Sequence, residues 1–112
     1  KFYNQEKADI TTDLMYYGSI GVHAGNSKAL VVMPPPTPCD DLSIGMENNT
    51  IANFVEKLYI NIKSGNWPST NTNDYFQVLS WHPYNIRSNY SEIAPDNIWI
   101  QSNHNIYNVA VN

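Results

Sequence analysis

The chain has 112 residues and 12.7 kDa, with six basic and ten acidic side chains and a formal charge of -4. That length holds one domain with a modest core, and the acidic balance argues against a duplex nucleic-acid binder, which needs a basic face to displace counterions. No apolar run approaches the ~18 residues of a membrane span, and a single cysteine, Cys39, excludes an internal disulfide and a multi-thiolate metal site.

Charged residues make up only 14%, against roughly 25% in an average soluble domain. Sixteen asparagines, eight tyrosines and three tryptophans stand in their place. An AT-rich genome would enrich lysine together with asparagine and tyrosine, yet there are only five lysines. Neutral amides and stiff aromatic rings suit surfaces that make many short-range contacts at low entropic cost.

The first residue is Lys1 and not Met, as in a processed or trimmed chain. In the first segment Ile10, Leu14 and Tyr17 follow helical steps of four and three, predicting a helix over about 5–17 that Gly18 stops. Ser19–Ala24 and Ala29–Met33 then read as the two strands of a hairpin, turned at Gly25-Asn26-Ser27-Lys28. Pro34-Pro35-Pro36-Thr37-Pro38 ends the second strand and forms a stiff crossover at 34–38 within one domain, 1–112. Proline-binding partners recognise such runs, but a mid-chain position suits a spacer.

The strongest pattern is Ile51, Phe54, Val55, Leu58, Tyr59 and Ile62, which share one stripe of a helix over about 50–64. Asn49 or Thr50 can cap its start and Gly65 its end, while Asn53, Glu56, Lys57, Asn61 and Lys63 fall on the outer side. Leu58, Ile60 and Ile62 also alternate as in a strand, but the six-position stripe and the caps favour the helix. After a polar loop from Trp67-Pro68 to Asp74, Tyr75–His82 reads as a strand ended by Pro83. Ile98–Ile100 and Ile106–Val111 read as two more, with Ser102-Asn103-His104-Asn105 as their turn. The expected fold is therefore α+β, an antiparallel sheet of about five strands packed with one or two helices.

Chemistry is sparse. His23, His82 and His104 lie on separate elements without the i, i+4 spacing of a helical metal site. Asp40 and Asp41 beside Cys39 raise a thiol's pKa, whereas a reactive thiolate needs positive surroundings. They also lack the spacing of a calcium loop. There is no Gly-rich phosphate loop and no Gly-x-Ser-x-Gly motif. No metal or cofactor is expected. Asn48-Asn49-Thr50 and Asn89-Tyr90-Ser91 fit the glycosylation sequon, as chance allows in so Asn-rich a chain.

Two features point toward sugars. Gln101-x-Asn103-x-Asn105-x-Tyr107 resembles part of the mannose motif of monocot lectins. It departs from that motif at Asn103, Tyr107 and Val109 and occurs once where those lectins repeat it, so no residue role carries over. The aromatic set Trp67, Tyr75, Trp81, Tyr84 and Trp99 supplies rings of the kind that stack on sugar faces, or that fill a small core.

The favoured reading is a non-catalytic subunit that packs against copies of itself or a larger assembly. Small head-to-tail and tail-end proteins of tailed phages are similar in size and in mixed helix–sheet build, an analogy of fold alone. A virion or an extracellular setting fits that reading better than the cytoplasm. The alternative is a carbohydrate-binding module built on the five aromatics. A third is a small enzyme with a site of scattered His and Asp residues.

Overall fold

The computed structural model describes residues 4–36, 50–82 and 98–111, with the backbone alone at 50 and 98–103. Among the described residues three α-helices dominate: α1 (Gln5–Gly25), α2 (Thr50–Lys63) and α3 (Ile98–Val111), with a 3-10 turn at Thr72–Asp74. Helix α2 packs on both α1 and α3, and α1 also meets the 3-10 turn. Among the described residues there is no β-sheet, only an isolated parallel bridge between Val32 and Val78. The expected α+β fold with five strands is therefore corrected to a mainly helical one.

Helix α2 follows its sequence pattern. Ile51, Phe54, Val55, Leu58 and Ile62 are buried and Tyr59 is half-buried, its ring edge-on to Phe76 with centroids 6.0 Å apart. Gly65, at φ 82°, takes the left-handed conformation that closes the helix end cheaply only for glycine. Asn61 departs from expectation. It is 5% exposed, not outward-facing, because it stands seven residues, about two turns, beyond Phe54 and shares its face.

Asn61 ties α2 to α1. Its amide donates to Asp9 Oδ1 at 2.9 Å and to Thr12 Oγ1 at 3.1 Å, and its Oδ1 accepts from Gln5 Nε2 at 3.0 Å. The Thr12 hydroxyl in turn donates to the Ala8 carbonyl at 2.7 Å. The α1 face turned inward is thus Ala8, Thr12, Met15 and Ser19, all nearly inaccessible.

Helix α1 starts at Asn4, whose side chain accepts from the Lys7 N–H at 2.9 Å. It runs through Gly18 and Gly21 to Gly25, so Ser19–Ala24 is helical and not half of a hairpin. Neither glycine needs a positive φ, so each lowers helix propensity by about 1 kcal/mol without breaking the helix. Buried Ser19 and the bond between His23 Nε2 and the Ala29 carbonyl at 2.9 Å hold the last turns in place.

The segment after α1 pairs elsewhere. Residues 31–36 run parallel to 77–82: the Gln77 N–H donates to the Val31 carbonyl (2.9 Å), Met33 to Val78 (2.8 Å) and His82 to Pro36 (3.1 Å). Pro34, Pro35 and Pro36 have no N–H to give, so this segment donates nothing beyond Met33 and the pairing does not extend into a ladder. The expected strand over Tyr75–His82 is corrected accordingly: Tyr75 closes the 3-10 turn, and the rest is extended chain.

The last two expected strands are the single helix α3, and their expected turn lies inside it. Ile106 is 1% exposed and Val109 is half-buried three residues on, while Tyr107 and Val111 are exposed. That is helical spacing, and burying Ile106 against the core, at ~2 kcal/mol, outweighs the few tenths by which β-branched residues disfavour a helix. Thr37, Pro38, Cys39, Asp40, Asp41 and both sequon asparagines, Asn48 and Asn89, lie outside the described residues.

Two variants test this frame. Leu58→Asp places a charge where exposure is 1%, and far-UV circular dichroism should show loss of the helical fold. Asn61→Ala strands Gln5, Asp9 and Thr12 without their partner, and urea unfolding should register a loss of about 1–3 kcal/mol. A loss below a few tenths would show that the network is not a stabilising link.

Candidate interaction surface

Helix α1 carries a second face. Ile10, Leu14 and Tyr17 are 52%, 66% and 63% exposed, and the row continues through exposed Gly21 and Ala24. The steps of four, three, four and three keep all five on one side. The helical spacing read in the sequence is real, but these side chains point to solvent while the smaller, more polar set faces α2. Ile20 and Val22, at 50% and 45%, flank the row. A ligand at this surface would meet apolar area with Glu6 at one end and Lys28 beyond the other, both exposed.

The five aromatics do not form one platform. Tyr75 is fully buried, tilted against Tyr16 with ring centroids 5.3 Å apart, and its hydroxyl donates to the Ser69 carbonyl at 2.7 Å. It presents no face for stacking. Trp67 is half-buried, its indole N–H held by Asp13 Oδ1 at 2.7 Å. Trp81 is half-buried against the core cluster. Trp99 lies in α3 where only the backbone is described, and Tyr84 lies outside the described residues.

An open groove of about 460 Å³ runs between α2 and α3, lined by Glu56, Tyr59, Ile60, Lys63, Asn108 and Val109. None of the five aromatics lines it. His23 serves the end of α1, His104 is exposed on α3, and among the described residues no group of three His, Cys, Asp or Glu is arranged to hold a metal ion. No described helix is long and apolar enough to cross a membrane.

Protein-family models, curated proteins and solved structures give no match to this chain. The surface itself is therefore the ground for a functional reading. Sequence inspection found the Ile10, Leu14 and Tyr17 spacing but not its outward orientation. The signal was the partner row Ala8, Thr12, Met15 and Ser19, at the same period and with the small residues that let a neighbouring helix approach.

Burial pushes the phenols of Tyr75 and Tyr59 above the ordinary 10.0; for Tyr75 the Ser69 hydrogen bond acts the other way, and nearby Tyr16, Asp74 and Asp13 add to the rise. The unfolded chain then ionises first, so the stability these groups contribute is whole below pH 10 and lost as pH rises through their folded values. The urea midpoint should hold to about pH 9 and fall above pH 10, with a shallower fall in Tyr75→Phe. An identical slope in that variant would contradict the assignment.

Proposed function

We propose that the chain is a non-catalytic structural subunit acting by protein–protein contact, through the outer face of α1, with copies of itself or within a larger assembly. The observation that carries this reading is the row Ile10, Leu14 and Tyr17, each more than half exposed on a helix whose opposite face is already packed. Contiguous apolar surface of this kind favours association, at about 25 cal/mol per Å² removed from water. A low charge of -4 leaves little repulsion between copies.

A place in a virion, of the head-to-tail or tail-end kind, is supported by size alone, since the mixed helix–sheet build behind that analogy is not the build of this chain. The glycan-binding alternative has less behind it, because Tyr75 is inside the core and the Trp67 N–H is already engaged.

The test is solution mass by light scattering over a hundredfold range of concentration. The expected result is a mass above 12.7 kDa that returns to the monomer value in Leu14→Arg with unchanged circular dichroism, since Leu14 is 66% exposed. A monomer across the whole range would overturn the reading.

A further inference from the structure

We infer that the Asn61 network is a latch that decides which face of α1 the molecule displays. With the latch intact Ile10, Leu14 and Tyr17 face outward; without it the helix turns about its axis and buries them on α2. The latch thus keeps open the contact face of the assembly reading, and only its consequence for association rests on that reading.

Apolar area alone favours the opposite rotation. The inward row of Ala8, Thr12, Met15 and Ser19 holds one large apolar side chain, whereas the outward row holds three, each more than half exposed. A helix settles on its neighbour by the face that removes most apolar surface from water. What opposes this is a single amide. Asn61, 5% exposed on α2, finds two acceptors and a donor on the inward side of α1, at Asp9, Thr12 and Gln5. Ile10 and Leu14 stand two residues either side of Thr12, about 200° around the axis, and carry no polar side-chain atom. Turned inward, they would leave that amide buried and unpaired, the most costly state for a polar group.

The demand comes from α2 and not from α1. Gln5 is exposed and also donates to Asp9 at 2.8 Å, and Thr12 keeps its bond to the Ala8 carbonyl in either rotation. Two other contacts favour the present rotation: Asp13 accepts from the Trp67 indole N–H, and Tyr16 packs on Tyr75. Neither makes a comparable demand, since the first is exposed and the Tyr75 hydroxyl is bonded to Ser69. An apolar residue at 61 therefore removes what fixes the helix.

Thiol labelling of the full chain, with Cys39→Ser as background and at a dilution where it is monomeric, reads the rotation. Leu14→Cys, at a site 66% exposed, should react fast with a maleimide, and Ser19→Cys, at a site 2% exposed, slowly. Adding Asn61→Leu should reverse the order, slowing the first and speeding the second by about tenfold each, with unchanged far-UV circular dichroism. Adding Ile10→Lys to Asn61→Leu should restore the original order, because a charge in the outward row resists burial on α2. A residue that matters for stability alone gives no such rescue from another helix.

An unchanged order in Asn61→Leu would overturn the latch. So would two fast thiols, which mean a helix released and not turned. If Asn61→Leu loses its helical signal, Asn61→Ala is measured with the same pair of thiols, and loss of helix there too would overturn the latch. Light scattering at high concentration keeps the two readings apart. A wild-type oligomer that becomes a monomer in Asn61→Leu supports both, whereas a wild-type monomer ends the assembly reading and leaves the rotation to be decided by the thiols.

Discussion

The amide of Asn61 determines how this molecule is put together. It is almost wholly buried, and a buried amide without partners costs about 1–3 kcal/mol. The partners come from α1: Gln5, Asp9 and Thr12, at steps of four and three along one side of that helix. Only one rotation of α1 about its axis brings all three to α2. That rotation buries Ala8, Met15 and Ser19 beside Thr12 and turns Ile10, Leu14 and Tyr17 to solvent. Rotated half a turn, α1 would bury more apolar area and leave the buried Asn61 amide without its partners. The polar network therefore accounts for the exposed apolar row.

The same accounting of donors explains the absence of a sheet among the described residues. Residues 31–36 and 77–82 lie side by side in extended form and exchange several hydrogen bonds. Three consecutive prolines give that edge acceptors without donors. The pairing is completed by side chains instead: Gln77 Oε1 takes the Val31 N–H at 2.7 Å, and the Ser80 hydroxyl donates to the Met33 carbonyl at 2.7 Å. The ribbon fastens buried Met33 and Phe76 against α2.

What could be read from the sequence divides along physical lines. Helix α2 was legible because six apolar residues, a capping position and Gly65 agree. Helix α3 was not, since Ile106, Tyr107, Val109 and Val111 satisfy both periods and only packing against α2 decides between them. Gly18 suggests a stop, yet only its φ, which a sequence does not display, separates a capping glycine from one inside a helix. Of the aromatic set, Tyr75 went to the core, where its hydroxyl found the Ser69 carbonyl. Ring chemistry alone does not distinguish a stacking surface from a filled interior.

Two kinds of contact thus divide the work on α1. Apolar surfaces attract strongly but fix register weakly, whereas a satisfied polar network admits one arrangement and penalises all others. The chain places the network inside, where a slip of α1 against α2 would disturb the core around Leu58 and Ile62, and leaves the apolar row outside.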